Sequence, residues 1–344
     1  MSRPDLTTLI EASDLDGLVL AVNGLCDAGD WDGLVALGAR CRAALERGRQ
    51  LWPVASHIEY RLALSAPGEW AGTVVAPGAG RFAPGPLPEV AASTHGWEEL
   101  APWVPDGPLA AVCAHERVVR GEDLSAWPGI DSRVLEIPLR LAEWEPEYPV
   151  ATYHGDRGEF PMPVGPARPA LVDRGRPALV DRGPAELGPQ RAPAEQAEDP
   201  EVCRALLDLA GAWTTESDGR AEAVAVVGDA AAAVAALGVP AARLTPMGLA
   251  DSMALLAWTG ASGGAHGRRR GMAAGRFGAW WVLGALCEAL DEWPVSAESM
   301  GERAEKLRWF RWDAGDPETG WVCRIAVEQP SQGRAWSLAA TDSA

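Results

Sequence analysis

Arg168 to Gly175 spell RPALVDRG, and the same eight residues follow at once as Arg176 to Gly183. A packed element gives each of its positions different neighbours, so an unchanged duplication belongs in a loose connection rather than a core. The surrounding stretch, 157–199, is rich in Pro, Gly and Ala and reads as a flexible linker. It divides the 344 residues into an expected helical domain at 1–156 and an expected helix-plus-antiparallel-sheet domain at 200–344.

The first part is helical by pattern. Leu34, Leu37, Cys41, Ala44 and Leu45 fall on one stripe at the three-four spacing of a half-buried helix. Asp14-Leu15-Asp16-Gly17-Leu18-Val19 recurs sixteen positions later as Asp30-Trp31-Asp32-Gly33-Leu34-Val35. An Asp ahead of an apolar-periodic run is an N-cap, its carboxylate accepting orphan backbone N–H groups. The Asp-x-Asp-Gly spelling is not a calcium loop, because Leu and Val occupy the ligand positions that would follow. Gly29, Gly48 and Gly121 suit helix ends, and further helices are expected at 52–64, 87–104 and 108–120. These are irregular helical hairpins, because no fixed period continues beyond residue 48. Between Val134 and Leu141 apolar residues alternate with Glu136, Pro138 and Arg140, which predicts an edge strand.

Beyond the linker, helices are expected at 201–212, 229–237, 246–258 and 265–290, and a strand at 221–227. The end of the chain carries the clearest sheet signal. Trp321, Cys323, Ile325 and Val327 share one face, and after the turn at 329–333 so do Trp336, Leu338 and Ala340, with a third strand expected at 307–312. The fold class is therefore α+β, mostly α.

Charge narrows the partners. Acids outnumber bases 48 to 30, a net −18, which excludes general binding to duplex nucleic acid or to an anionic membrane surface. Hydrophobic residues make up 47% of the chain and tryptophans number 16, ample material for a buried core. The most apolar segment, Phe277 to Cys287, is far short of the roughly 20 residues of a bilayer span. With no basic, apolar leader at the start and six widely separated cysteines, a cytoplasmic protein with reduced thiols is expected.

One segment stands out chemically. Ser262, Gly263, Gly264, His266, Arg268, Arg269 and Arg270, extended by Arg276, combine Gly-rich backbone with guanidinium groups, as an anion cradle for phosphate or carboxylate would. Trp309 and Trp312, interleaved with arginines, are the candidate rings beside it. The competing reading is packing: Gly267, Gly271 and Gly275 lie four apart, where missing side chains let helices approach. The phosphate-loop consensus is absent, and His115-Glu116 lacks the second histidine of a zinc-protease helix, since position 119 is Val. His57, His95, His115 and His154, with Glu59 and Asp156, read as ordinary polar contacts, so no metal ligands are assigned. The acidic, aromatic run Glu143 to Pro149 reads as a solvated loop pinned by its Trp and Tyr. No catalytic set or cofactor emerges. The leading expectation is a partner-binding or regulatory protein whose acidity favours a basic protein partner; the alternative is an enzyme or sensor holding a small anionic ligand at 262–276.

Overall fold

The computed structural model describes residues 5–162, 185–186 (backbone only), 195–315 and 319–343. The octapeptide pair lies outside these residues. The chain forms two compact units, Met1–Val134 with Val150–Phe160, and Leu135–Pro149 with Pro161–Ala344.

The first unit is a series of helices: α1 (Leu6–Ala12), α2 (Leu15–Ala28), α3 (Trp31–Leu45), α4 (Trp52–Ser65), α5 (Gly68–Thr73), α6 (Leu87–Thr94), α7 (Trp97–Leu100) and α8 (Pro108–Val118). The repeated aspartates cap as expected: Asp14 accepts from Gly17 N and Asp30 from Gly33 N. Glycine three residues on leaves room for this cap, since a Cβ on Gly33 would lie 2.5 Å from Asp30 Oδ2 and shift the carboxylate. Leu18, Val22, Leu34, Leu37, Cys41 and Ile58 form the core shared by α2, α3 and α4. A short hairpin, β1 (Thr152–Tyr153) and β2 (Gly158–Glu159), is tied down by Tyr153 Oη donating to buried Glu89 at 2.6 Å and by Tyr60 Oη donating to the His154 carbonyl.

The second unit contains β3 (Ala185–Glu186), α9 (Pro200–Leu209), α10 (Gly211–Thr215), β4 (Arg220–Val227), α11 (Ala230–Ala236), β5 (Arg243–Met247), α12 (Leu249–Ala261), α13 (Met272–Leu286), α14 (Ala297–Ala304), β6 (Arg308–Asp313), β7 (Trp321–Gln329) and β8 (Arg334–Asp342). Its antiparallel sheet runs β3-β5-β6-β7-β8-β4. Cys323 pairs with Ala340, Ile325 with Leu338 and Val327 with Trp336, so the two expected stripes meet on one sheet face. Helices α9 and α12 pack on the sheet, and Trp336 Nε1 donates to Asp199, the N-cap of α9. Trp312 and Ala326 pack with Ala230 and Val234 of α11.

Three expectations are corrected. Residues 134–141 form no strand: Leu135 and Glu136 take positive φ (64° and 40°), and the Pro138 and Arg140 carbonyls are drawn to the Arg276 guanidinium. The expected 246–258 helix starts later, because Pro246 belongs to β5 and Gly248 precedes α12. Within the expected linker three short described pieces are paired: 158–159 in β2, 185–186 against β5, and Gln196 against Val226.

Candidate functional site

The Gly/Arg segment is a loop between α12 and α13, and its backbone N–H groups turn toward the protein's own acceptors. Ala265 N donates to Asp342 at 2.6 Å, Arg268 N to Glu216 at 3.2 Å and His266 N to Ser217 Oγ at 3.1 Å. Gly264 N donates to Ser262 Oγ and Arg270 N to the Ala261 carbonyl. An anion cradle needs such groups aimed at the ligand; here two carboxylates occupy the place an anion would take. Ser262, Gly263 and Gly264 are buried, Arg269 is half-buried, and His266, Arg268 and Arg270 are exposed.

Arg276 leaves this group altogether. From α13 its guanidinium forks onto Glu145, Nε to Oε2 at 2.7 Å and Nη2 to Oε1 at 2.8 Å, with neither side chain exposed. Its remaining donors reach the Pro138 and Arg140 carbonyls at 2.8 and 2.9 Å. Glu145 also accepts from Tyr148 Oη at 2.6 Å and Trp280 Nε1 at 3.0 Å. Burial works against the Glu145 carboxylate, but the hydrogen bonds and charge of Arg276 outweigh it and hold the carboxyl below its ordinary value. The run expected as a solvated loop is held by Trp144 and Tyr148 as expected, but at Glu145 it is not solvated: a buried ion pair pins it as well. Trp309 and Trp312 are 3% and 2% exposed and point to opposite faces of β6 by the alternation of a strand, so the two rings cannot both stand beside the loop 262–271. The packing reading holds for part of the glycine series: Gly275 lies against Gly260, and a Cβ there would fall 2.0 Å from the Ala257 carbonyl.

A different feature remains open. The segment 195–197 pairs antiparallel with the outer side of β4, through Ala197 N to the Ala225 carbonyl and Val227 N to the Glu195 carbonyl. Ala225 and Val227 therefore face outward, and by strand alternation so do the N–H and C=O groups of Ala221 and Ala223. At Asp199 the chain turns into α9, and among the described residues no strand pairs with the outer side of Arg220–Val224. A groove of about 390 Å³ opens there, between the start of α9 (Asp199, Pro200, Cys203) and Ala223 to Ala225. Burial, and then the charge of Asp199, raise the Cys203 thiol above its usual range, so it is a neutral wall residue.

A family model matches residues 16–344, nearly the whole chain. The chain belongs to DUF6183, a family of unknown function. No curated protein and no solved structure matches it.

In this DUF6183 member the ten sequence-selected residues do not converge: the loop residues stay together, while Arg276 is buried on α13 and Trp309 and Trp312 on opposite faces of β6. Among the described residues no group of three or more His, Cys, Asp or Glu could hold a metal ion, and no helix is long and apolar enough to cross a membrane. Sequence reasoning identified β4 as a strand but missed its open edge. The one available signal was a run of alanines, Ala221, Ala223 and Ala225, whose small side chains leave room beside the backbone.

Proposed function

We propose that this is a non-enzymatic partner-binding protein that docks an extended protein segment on the outer edge of β4. The observation that carries the reading is the row of backbone groups at Ala221 and Ala223, half-buried residues with no strand paired to their outer side among the described residues, beside the α9 groove. Soluble proteins ordinarily blunt such an edge, because unpaired N–H and C=O groups template another strand. Strand addition uses them for affinity and neighbouring pockets for selectivity. The anion-ligand alternative has less support, since the loop at 262–271 spends five N–H groups on internal acceptors.

The test compares the tagged full-length protein with its Ala223→Pro variant after purification from native lysate. Proline is tolerated on an edge strand where its missing N–H faced solvent, so the β4–β8 ladder survives. The expected result is a stoichiometric protein partner retained by the parent and lost from the variant. A stoichiometric small molecule in both, with no protein partner in either, overturns the reading.

A further inference from the structure

We infer that the segment seated on β4 is a basic strand, one that alternates Lys or Arg with small apolar residues; this rests on the partner-binding reading above. The surroundings of the edge select for charge. Glu195, Glu198, Asp199, Glu201 and Glu222 belong to β4 and the segment beside it, five carboxylates against the guanidinium groups of Arg204, Arg220 and Arg334, the last on β8 and paired with Val227. Asp199 is already engaged by Val202 N and Trp336 Nε1, so Glu198, exposed at the groove mouth, is the carboxylate most available to an incoming cation. The floor between these charges is small and apolar: Ala223, Ala225, Pro200 and Cys203. A strand alternates its side chains, so one set would rest on this floor while the other projected toward the carboxylates.

The same charges argue against a second copy of this chain as the occupant. Pairing edge to edge would bring two sets of these carboxylates together, on molecules each carrying −18. A basic strand gains from the field that repels the copy.

The experiment uses the full-length protein at low ionic strength and two capped hexapeptides, one alternating lysine with valine and one alternating glutamate with valine. Calorimetric titration is expected to show saturable one-to-one binding of the lysine peptide, at least ten-fold weaker binding of the glutamate peptide, and weakening of the former by added salt. Amide exchange at Ala221 and Ala223 should slow when the lysine peptide is present. Ala223→Pro should weaken it at least ten-fold; Glu198→Arg, a surface change that leaves the fold alone, should do the same if the proline variant misfolds. Equal binding of both peptides, no binding of either, unchanged exchange at the two alanines, or a parent dimer in sedimentation that Ala223→Pro dissolves would each overturn the inference. If the peptides fail while Ala223→Pro still releases the native partner, docking at the edge stands and only its basic character falls.

Discussion

Glu145 and Arg276 show no exposed side-chain surface, so the consequence of losing either depends on what it leaves behind. Removing one member of a buried pair strands the other charge, at about 3–5 kcal/mol. Glu145→Gln should therefore lower stability by roughly 3 kcal/mol or more in urea unfolding at neutral pH. The pH dependence has a definite sign. A carboxyl depressed in the folded state stabilises above its unfolded value, ordinarily 4.5, and that contribution fades as pH falls from there through the folded value. The gap between parent and variant should thus be full at pH 7 and narrow in acid below about 4.5; a gap constant with pH would remove the ion pair from the account. None of this could be read from the sequence. Arg276 looked like part of an arginine cluster because its neighbours in the chain are arginines, whereas its partner lies 131 positions away in a run that looked like a solvated loop.

At the scale of elements, local chemistry was legible where a short-range rule governs it. Asp14 and Asp30 act within three residues, and the alternation of β7 and β8 picks out the residues that pair across one sheet face, although Val322, Arg324 and Ala326 on the other face are buried too. Local pattern misled where a long-range contact overrides it: residues 134–141 alternate like a strand, yet their carbonyls serve Arg276. The glycine series was right in part for a related reason: Gly267 lies outside α13 and Gly271 caps it at φ 95°, which leaves Gly275 inside the helix, followed by Gly278. Those two glycines differ in what a methyl group would meet. At Gly275 it meets the Ala257 backbone carbonyl at 2.0 Å, which can yield only if α12 and α13 separate; at Gly278 it meets the end of Leu209, at 2.8 Å, which can rotate. Alanine in a helix interior gains about 1 kcal/mol over glycine, against an overpacking cost of about 1–3 kcal/mol in a close-packed core. Gly278→Ala should then be near neutral and Gly275→Ala clearly destabilising in thermal melts. Equal effects would mean that the α12–α13 approach does not depend on Gly275.

For the whole molecule, the path of the chain between its two units sets what can be cut away. Sequence boundaries at 1–156 and 200–344 assume that everything before the linker folds with the helices. Leu135–Pro149 instead pack with the second unit, although Val150–Phe160 return to the first. Those fifteen residues supply Glu145 to Arg276, and Trp144, whose Nε1 donates to the Ala297 carbonyl at 2.9 Å and whose ring fills the space left by Gly301. A fragment beginning at residue 200 would keep Arg276 buried on α13 with its carboxylate and both outside carbonyl acceptors gone. It would also lose 195–197 from the β4 edge, lengthening the unpaired row that invites aggregation. A fragment beginning at residue 135 keeps all of these contacts. The expected outcome is a cooperative thermal transition and a monomer for 135–344, and aggregation or a broad, non-cooperative melt for 200–344, read by circular dichroism and light scattering. A cooperative, monomeric 200–344 fragment would show that the second unit does not need the Glu145 segment, and would return the boundary to where composition alone places it.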